Sequence, residues 1–334
     1  MGTTCPICTG TQTNQIVRRF SLQTVANYFI PRSRSAELHA CLLESLHRLW
    51  GGNDNVTIRK CAECGFSFAD PFVAGDASFY NLVNSNDPHY PRNRWEFGRT
   101  IKALKPIGAH RNKLRVLEVG AGEGWFLDQL LASTVAPHLE IIAAEYNLAA
   151  IDRLVSRGIR TISGSILDVI DADHFDVICL FQTIEHLDRI DDAFASMARL
   201  VAPGGHVFLS APYQPSVEIE EAAAGFSELP PQHVWRWLRR NFEIIAARHG
   251  LVVVDYELEP PWTRIAQAWL FAVYKTIAQA NAPGSLSDRV NALRFRAVRG
   301  SLKRVLALRH LPSMWTHTKV VLPHNQWVHL WRDH

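Results

Sequence analysis

Four cysteines near the start of the chain form two C-x-x-C pairs, Cys5/Cys8 and Cys61/Cys64. Four thiolates from two such turns can hold one zinc ion in a closed tetrahedral site. The alternative is a pair of reactive or redox dithiols, but neither pair lies in the βαβ pattern typical of thiol oxidoreductases. Because four protein ligands leave no open position on the metal, we predict that this zinc site is structural.

A glycine-rich turn, Gly120-Ala121-Gly122-Glu123-Gly124, directly follows the apolar run Val116–Val119. Glycines permit a tight turn and let a ligand approach the backbone closely. The spacing G-x-G-x-G differs from the dinucleotide spacing G-x-G-x-x-G, because Trp125 occupies the sixth position. Glu118 fits poorly in an apolar strand and suits a carboxylate that receives a ligand's ammonium group. The pattern therefore predicts a small-molecule site at the end of this strand.

The elements around this turn alternate between short apolar runs and helical stretches, which is typical of a parallel sheet with crossover helices. The predicted strands are Leu114–Val119, Glu140–Glu145, Arg160–Ser163, Asp176–Phe181, His206–Ala211 and Leu251–Glu257, and the predicted helices lie near Trp125–Ser133, Ala149–Arg157, Ile190–Val201 and His233–Arg248. Open sheets of this kind bind ligands at the carboxyl ends of their strands. Glu145 ends the second strand, where a carboxylate can bind ribose hydroxyls or, alternatively, only cap a helix or face solvent.

The domain organisation follows from shifts in composition along the chain. Residues 72–112 are rich in aromatic, asparagine and proline residues, which favours a linker and lid over regular structure. The predicted parts are a zinc-binding module (1–71), the linker and lid (72–112), a doubly wound α/β core (113–260), and a basic helical insertion with a final strand near 318–330 (261–334). Within the last part, helices are predicted near residues 262–280 and 287–309.

Four segments resemble motifs of a known enzyme family: VLEVGAGEGWFL, AAEYN, FDVICLFQTIEHL and LVAPGGHVFLSAP. The family is that of the class I S-adenosylmethionine-dependent methyltransferases, especially those of ubiquinone biosynthesis and other small molecules. The resemblance covers roughly residues 114–257 and implies a Rossmann-like sheet with S-adenosylmethionine as cofactor. The implied cofactor residues, besides Glu118, are Gly120, Ala121, Gly122 and Gly124 at the methionine moiety, Glu145 at the ribose, Tyr146, Ser165 and Ile166 at the adenine, and Gln182 at the methyl-transfer cavity. The family often has Asp where this chain has Ser165.

The segment Gln182–His186 follows the fourth predicted strand. Some relatives carry a Glu-x-x-Glu-His cluster here that binds a divalent metal. Gln182 replaces the first carboxylate of that cluster and so removes one hard oxygen ligand, which argues against a metal at this position. Glu185 and His186 then either contact the substrate or form a capped helix start with Asp188, and the sequence leaves both interpretations open.

The residues around the second cysteine pair, Ile58–Pro71, resemble the amino-terminal zinc module of methyltransferases in sugar and natural-product pathways, including sugar C-methyltransferases. Those enzymes carry a further carboxyl-terminal domain that this sequence does not show. The resemblance therefore supports the zinc module but leaves the reaction open between methylation at oxygen and methylation at carbon.

Two histidines are candidates for the base that an alcohol acceptor requires. Methyl transfer mainly needs alignment of donor and acceptor, but a hydroxyl must also lose its proton, and histidine suits that role near neutral pH. His186 follows the fourth predicted strand, and His233 lies in Pro230-Pro231-Gln232-His233 after the fifth. The alternative for His233 is that it merely begins a helix.

Composition sets the broad class of the protein. The chain has 334 residues, of which 47% are hydrophobic and 20% charged, which is typical of a large globular domain with an accessory part. Its start lacks an export-signal pattern and no apolar stretch is long enough to cross a membrane, so we expect a cytoplasmic protein. Cys41 and Cys179 lie in apolar surroundings and are expected in the core.

The charge is unevenly spread along the chain. The net charge is only +3, yet residues 262–334 are strongly basic and the remainder is acidic. The predicted helix 287–309 carries a basic stripe beside an apolar one. This segment is expected to contact an anionic membrane surface peripherally, to bind an anionic substrate, or simply to pack on the sheet with solvated arginines.

These observations favour an S-adenosylmethionine-dependent methyltransferase that acts at an oxygen of a sugar, glycan precursor or secondary metabolite. A sugar C-methyltransferase is one alternative. Another is a non-catalytic, methyltransferase-like binding protein with a zinc module, against which the intact glycine turn and Glu145 argue. Nucleic acid is not the expected partner, because Phe181-Gln182-Thr183-Ile184 stands where base methyltransferases carry an Asn-Pro-Pro-Tyr motif. The sequence does not specify the acceptor or the oligomeric state.

Overall fold

The structure is a computed structural model, and it describes residues 4–11, 15–83, 91–170, 174–222, 228–260 and 323–333. Residues Met1–Leu258 and His324–His334 form one compact unit, and the structure below is that of this unit. The helices predicted near residues 262–280 and 287–309 lie outside the described residues, and their basic stripe remains a sequence prediction.

The strands of the described residues are, in chain order, β1 (Gln15–Ser21), β2 (Asn55–Lys60), β3 (Ser67–Asp70), β4 (Lys113–Val119), β5 (His138–Glu145), β6 (Arg160–Ser163), β7 (Phe175–Phe181), β8 (Val201–Pro212), β9 (Trp235–Arg236), β10 (Leu251–Leu258) and β11 (Asn325–Arg332). The helices are α1 (Leu22–Phe29), α2 (Ala36–Leu49), α3 (Ala77–Val83), α4 (Trp95–Gly108), α5 (Trp125–Leu131), α6 (Leu148–Ser156), α7 (Ile190–Leu200), α8 (Gln214–Ala222) and α9 (Arg239–Arg248).

A seven-stranded sheet in the order β10-β11-β8-β7-β4-β5-β6 forms the centre of the unit. Strands β4 to β8 pair in parallel, and β11 runs antiparallel to both of its neighbours. The central strand β7 is buried on both faces from Val177 to Cys179, as its continuous apolar run requires. The Rossmann-like α/β fold predicted from the sequence is confirmed.

The crossover helices cover this sheet with apolar faces. In α7 the buried residues recur at helical spacing, namely Ile190, Ala193, Phe194, Met197 and Leu200. Its first turn holds Asp191 and Asp192 and its last turn holds Arg199, an arrangement that complements the helix dipole. None of the helices in the described parts of the chain is long and apolar enough to span a bilayer.

A second, antiparallel sheet has the strand order β1-β2-β3-β9. Its first three strands lie in residues 4–71, the part of the chain that holds the four paired cysteines and that we call the cysteine region. Its fourth strand comes from far along the chain, since Phe68 pairs with Trp235 and Ser67 with Arg236. The aromatic rings of Phe66 and Trp235 stack at a centroid distance of 5.7 Å beneath this pairing. The two sheets are therefore joined through the polypeptide that follows β8.

Several predicted boundaries differ from the structure. Residues 72–112 contain α3 and α4 rather than irregular chain. Phe79 is buried in α3, and Phe97, Thr100 and Leu104 are buried at helical spacing in α4. The helix expected to begin at His233 begins instead at Arg239, because the intervening residues pair with β3 as β9. The last strand of the described residues is Asn325–Arg332, which extends two residues beyond the predicted end at 330, and residues 318–322 of the predicted strand lie outside the described residues.

The two isolated cysteines have different environments. Cys179 is buried in β7, as expected. Cys41 is exposed on α2, contrary to the expectation from its apolar neighbours, because it lies on the face of that helix that turns away from the buried positions Leu42 and Leu46.

Candidate active site

The glycine turn lies between β4 and α5 and has a backbone that suits glycine. Gly120, Gly122 and Gly124 have φ values of +71°, +54° and +78°, in the left-handed region that side chains disfavour. A Cβ atom on Gly120 would lie 2.4 Å from Oγ1 of Thr183, which follows β7. The turn is therefore packed tightly against the carboxyl end of the neighbouring strand.

Glu145, at the carboxyl end of β5, is held in place by backbone amides. Its Oε2 accepts a hydrogen bond from Gly122 N at 2.6 Å. Its Oε1 accepts from Tyr146 N at 2.8 Å and from Asn147 N at 2.9 Å. These bonds fix the carboxylate beside the glycine turn. Binding of ribose hydroxyls by Glu145 remains a prediction.

Glu118 is an unusual residue for the interior of a central strand. It is buried, and its Oε2 has no hydrogen-bond partner in the described structure. Burial, followed by the negative charge of Glu145, raises the pKa of Glu118 well above its usual value. Binding of the ammonium group of a methionine moiety by Glu118 remains a prediction.

The residues expected around an adenine lie near the ends of β5 and β6. The Tyr146 side chain is 67% exposed, and its hydroxyl is 3.5 Å from Oδ2 of Asp168. Ser165 N and Oγ donate to the same Asp168 oxygen at 2.7 and 2.8 Å. Ile166 is completely buried.

Asp168 was missed by the sequence analysis. It lies three residues after Ser165 and forms a capping box with it at the short 3-10 helix Ile166–Asp168. The S-x-x-D spacing is the signal that would have identified this capping box. The turn thus places a carboxylate near the position where the methyltransferase family often has Asp.

Gln182 adopts a left-handed conformation with φ of +51°, which is uncommon for a residue with a side chain. Its backbone N donates to the Ser210 carbonyl at 3.0 Å, and its Nε2 lies 3.3 Å from Ser210 Oγ. The Ser210 hydroxyl in turn donates to Glu96 at 3.2 Å. Strained backbone held in this way is common at functional sites.

Arg94, at the amino end of α4, is a second residue that the sequence analysis missed. Its guanidinium lies 3.6 Å from Oε1 of the buried Glu96. Its positive charge also opposes the rise in the pKa of both Glu118 and Glu185. No motif marks Arg94, because α4 was not recognised in the sequence.

His186 and His233 meet at the same edge of the sheet, together with Tyr80, Glu185 and Glu228. We call these five residues the histidine cluster. The two imidazole rings contact edge to face, with centroids 4.5 Å apart and planes at 85°. Nδ1 of His186 is 3.1 Å from the Tyr80 hydroxyl, and Nδ1 of His233 contacts the Glu228 carboxylate. The structure thus brings together the two histidines that the sequence proposed separately.

Glu185 lies in the short 3-10 helix Ile184–His186 and is completely buried, with neither carboxylate oxygen bonded in the described structure. It therefore does not cap a helix with Asp188, as one interpretation of the sequence held. Burial raises the pKa of Glu185 to about 8 and lowers the pKa of His186 to about 4. Both groups are consequently neutral for the most part at pH 7.

Glu185, His186 and His233 each offer one atom that could bind a cation, and these atoms lie within 4.8 Å of one another. Gln182 in place of a carboxylate predicts that no metal binds here, but His233 is a further possible ligand that comes from a distant segment. The absence of a metal at this position remains a prediction.

The four paired cysteines converge at the edge of the second sheet. Sγ of Cys5 lies 3.6 Å from Sγ of Cys64, and Sγ of Cys8 lies 3.5 Å from Sγ of Cys61. Each contact joins one pair to the other, and no two of these sulfurs are bonded as a disulfide. Tetrahedral zinc with bonds of about 2.3 Å places its sulfur ligands about 3.8 Å apart, close to these values.

The thiols are not arranged as reactive nucleophiles. Hydrogen bonding to Cys64, together with burial, raises the pKa of Cys5, and burial raises the pKa of Cys8 to about 11. A redox cysteine needs the opposite shift. The donor set and spacing thus fit a structural zinc ion, whose positive charge would ionise the thiols.

The cysteine region is hydrogen-bonded to the segments that surround the histidine cluster. Asn241 Nδ2 donates to the Cys64 carbonyl at 3.1 Å, and Gln214 Nε2 donates to the Gly65 carbonyl at 3.1 Å. Next to His233, the Val234 carbonyl accepts from Ala69 N at 2.9 Å. The second sheet is therefore part of the support of the histidine cluster.

Comparison with known proteins identifies the central part of the chain. Residues 92–256 match the family described as "Methyltransferase domain". The chain is 28% identical to the ubiquinone biosynthesis O-methyltransferase of Chelativorans sp. (strain BNC1) over 59% of this chain and 72% of that protein. It is 28% identical to the protein of the same name from Mesorhizobium japonicum over 49% of this chain and 61% of that protein, less than two thirds of its length.

Solved structures have more distant similarity. One of them is phosphoethanolamine N-methyltransferase 2 of Haemonchus contortus in complex with S-adenosyl-L-methionine. The match covers 76% of this chain and 56% of that protein, with 16% sequence identity and a TM-score of 0.45. By the family match and the seven-stranded sheet, residues 92–256 form a methyltransferase domain of the class I S-adenosylmethionine-dependent type.

Proposed function

We propose that this protein transfers a methyl group from S-adenosylmethionine to a hydroxyl oxygen of a sugar, glycan precursor or secondary metabolite. The observation that carries the proposal is the contact between His186 and His233, at the sheet edge that also holds the glycine turn. Two imidazoles beside a methyl-donor site provide a base for a hydroxyl acceptor. The curated relatives named above are O-methyltransferases, which supports oxygen as the acceptor atom.

The residues divide the work between binding and proton transfer. Glu118 and the glycine turn hold the methionine moiety, Glu145 the ribose, and Tyr146 and the Ser165–Ile166 turn the adenine. Gln182 lines the cavity in which methyl transfer takes place. When bound, S-adenosylmethionine supplies an electrophilic methyl group on its sulfonium. His233 or His186 accepts the proton of the acceptor hydroxyl.

The four cysteines hold one structural zinc ion in this proposal. Its support is the sulfur spacing and the raised pKa of the Cys5 and Cys8 thiols. The metal takes no part in methyl transfer, because four thiolates complete its coordination.

Two measurements test the proposal. Calorimetry should detect binding of S-adenosylmethionine and S-adenosylhomocysteine, and failure to bind either would leave only the non-catalytic alternative. Incubation of the protein with isotope-labelled S-adenosylmethionine and a small-molecule extract of the producing cell should yield a labelled product. Mass spectrometry of that product then identifies the acceptor atom, and a new carbon–methyl bond would contradict O-methylation.

A further inference from the structure

Glu228 and His233 form a carboxylate–imidazole pair within one short loop. The Glu228 carboxylate contacts Nδ1 of His233, with side-chain exposures of 7% for Glu228 and 14% for His233. In the described structure neither of these two atoms has another hydrogen-bond partner. Glu228 was not a site candidate in the sequence, because nothing in its local pattern distinguishes it from a solvated acid.

The backbone holds His233 firmly in this position. His233 N donates to the Leu229 carbonyl at 3.1 Å, and Val234 N donates to the Glu185 carbonyl at 3.0 Å. On the other side, Gly75 N donates to the Pro231 carbonyl at 2.8 Å. These bonds tie the loop to both neighbouring segments and so fix the backbone from which His233 projects.

A carboxylate at Nδ1 decides which nitrogen of His233 carries the proton. The neutral imidazole donates Nδ1–H to the carboxylate, and Nε2 keeps its lone pair. When Nε2 takes a proton, the adjacent carboxylate stabilises the imidazolium, as in other carboxylate–histidine pairs that serve as bases.

His186 lacks this arrangement. Its Nδ1 faces the Tyr80 hydroxyl, a neutral group that stabilises an imidazolium less than a carboxylate does. The two rings are in contact, so protonation of one opposes protonation of the other. The carboxylate contact therefore favours His233 as the ring that accepts a proton.

We infer that Glu228 is a positioning residue that makes His233, rather than His186, the base of this methyltransferase. The inference rests on the proposed function. The acceptor O–H bond breaks and its proton moves to Nε2 of His233. The oxygen electron pair forms the bond to the methyl carbon, and the electron pair of the broken carbon–sulfur bond stays on sulfur.

The groups that face His233 set its titration. Burial is the main cause that lowers the pKa of His233. His186, His324 and Arg236, which are cationic or can become so, lower it further. Glu185 lies beside it and Glu228 contacts it. Because Glu228 is the carboxylate in direct contact with the ring, its removal should lower the proton affinity of His233 further.

The first test uses nitrogen NMR of ¹⁵N-histidine-labelled full-length protein, which needs no acceptor. The His233→Gln variant assigns the His233 signals. In the wild type we expect the Nδ1-protonated neutral tautomer. In Glu228→Gln we expect loss of this preference and a titration shifted to lower pH. An Nε2-protonated tautomer in the wild type, or an unchanged spectrum in Glu228→Gln, would overturn the inference.

The second test measures initial rates of labelled methyl incorporation into the producing-cell extract across pH. Glu228→Gln should lower the rate by roughly tenfold to a hundredfold, a part of what a general base contributes. Its affinity for S-adenosylmethionine should not change, and Glu228→Asp should recover part of the rate. The matched control is Glu243→Gln, which removes an exposed carboxylate that pairs with Arg239.

The outcomes separate this inference from the function on which it rests. A wild-type rate in Glu228→Gln with a large loss in His233→Asn would overturn the role of Glu228 and keep His233 as the base. Wild-type rates in both His233→Asn and Glu228→Gln, with a loss in His186→Asn, would overturn the inference and make His186 the base. If the wild-type protein transfers no methyl group to the extract, the proposed function fails, while the NMR titration still decides whether the pair exists.

Discussion

The site has a cofactor end, at the glycine turn and Glu145, and an acceptor end, at the histidine cluster. The two ends differ in how far apart in the sequence their residues lie. The residues expected to bind S-adenosylmethionine lie between β4 and the turn after β7, within a stretch of sequence that folds as consecutive strand–helix units. The histidine cluster draws on α3, the turn after β7 and the loop before β9, and the cysteine region supports that loop through Ala69. Motifs identify residues at both ends of the site, but contacts between distant segments, such as that of Tyr80 with His186, cannot be predicted from motifs.

This difference predicts that the two ends can be damaged separately. Changes in the glycine turn should reduce cofactor binding and leave the cysteine region folded. Changes in the cysteine region should unfold that region and leave cofactor binding unchanged.

The largest separate effect is expected from loss of the zinc site. Cys61→Ser removes one of four ligands, and the apparent binding energy of structural zinc, about 10–16 kcal/mol in small domains, contributes directly to folding. We expect zinc to fall from about one per chain to near zero, with loss of methyl transfer and retention of S-adenosylmethionine binding. Elemental analysis and calorimetry on the same preparation measure both.

Cys41→Ser is the matched control, because Cys41 is an exposed cysteine on α2 outside the cluster. It should change neither zinc content nor methyl transfer. A Cys61→Ser protein that keeps zinc and full turnover would show that the acceptor end does not depend on this site.

A change in the glycine turn should have the opposite pattern. Gly122→Val places a β-branched residue at φ of +54°, which strains the backbone by roughly 1–3 kcal/mol and fills the space next to Glu145. We expect the affinity for S-adenosylmethionine to fall by about a hundredfold or more, equivalent to roughly 3 kcal/mol, with zinc content unchanged.

Gly158→Val provides the control for backbone strain. Gly158 also has positive φ, +77°, and no atom lies near its Cβ position. It should lose stability without losing cofactor affinity. Equal affinities in the wild type and Gly122→Val would contradict the assignment of the glycine turn.

Low pH should destabilise the whole domain, and with it both ends of the site, through a histidine pair that lies in neither end. His206 Nδ1 and His329 Nε2 are 3.0 Å apart where β8 pairs with β11. Burial, with the neighbouring His206, lowers the pKa of His329 from 6.5 to about 4, and burial also lowers the pKa of His206. The unfolded chain therefore binds more protons, and stability present above pH 6.5 is lost as the pH falls toward 4.

The loss at His329 should reach roughly 3 kcal/mol at most, which follows from about 1.4 kcal/mol per pKa unit. Denaturant unfolding followed at pH 7 and pH 5 measures it. His329→Gln should reduce the difference between the two pH values. An unchanged pH dependence in this variant would assign the acid sensitivity to other groups.

The smallest effect is expected from Tyr80, which touches only the acceptor end. Tyr80→Phe removes the contact with His186 Nδ1 and should lower the methyl-transfer rate by about twofold to tenfold, the equivalent of one hydrogen bond. Cofactor affinity should stay the same. Tyr28→Phe, on an exposed side chain of α1, is the comparison. A larger loss in Tyr28→Phe than in Tyr80→Phe would argue against a role for Tyr80.

The sequence predicted the central sheet well because its signals are local. Strands such as β6 were found with their correct ends, since apolar runs and flanking turns specify them. The glycine turn and Glu145 were found because a strand-end motif fixes their positions. The cysteine pairs were found because zinc ligands have characteristic spacing.

The remaining features depend on tertiary contacts that no local pattern shows. α4 was missed because Pro106 and the aromatic residues before it resemble a loop in sequence. β9 is only two residues long and exists because β3 lies beside it. Glu228 is important because its carboxylate contacts His233, and Tyr80 is important because its hydroxyl contacts His186. Tyr80 and His186 lie in separate parts of the chain.

The pairing of β3 with β9 also bears on how the protein is made. Cys64 and Asn241, which are bonded next to this pairing, are 177 residues apart in the sequence. During synthesis the amino-terminal sheet therefore leaves the ribosome with the edge of β3 unpaired, and it waits for most of the methyltransferase domain to be translated. An open strand edge of this kind invites aggregation. Early zinc capture by the nascent chain would protect the module during that interval.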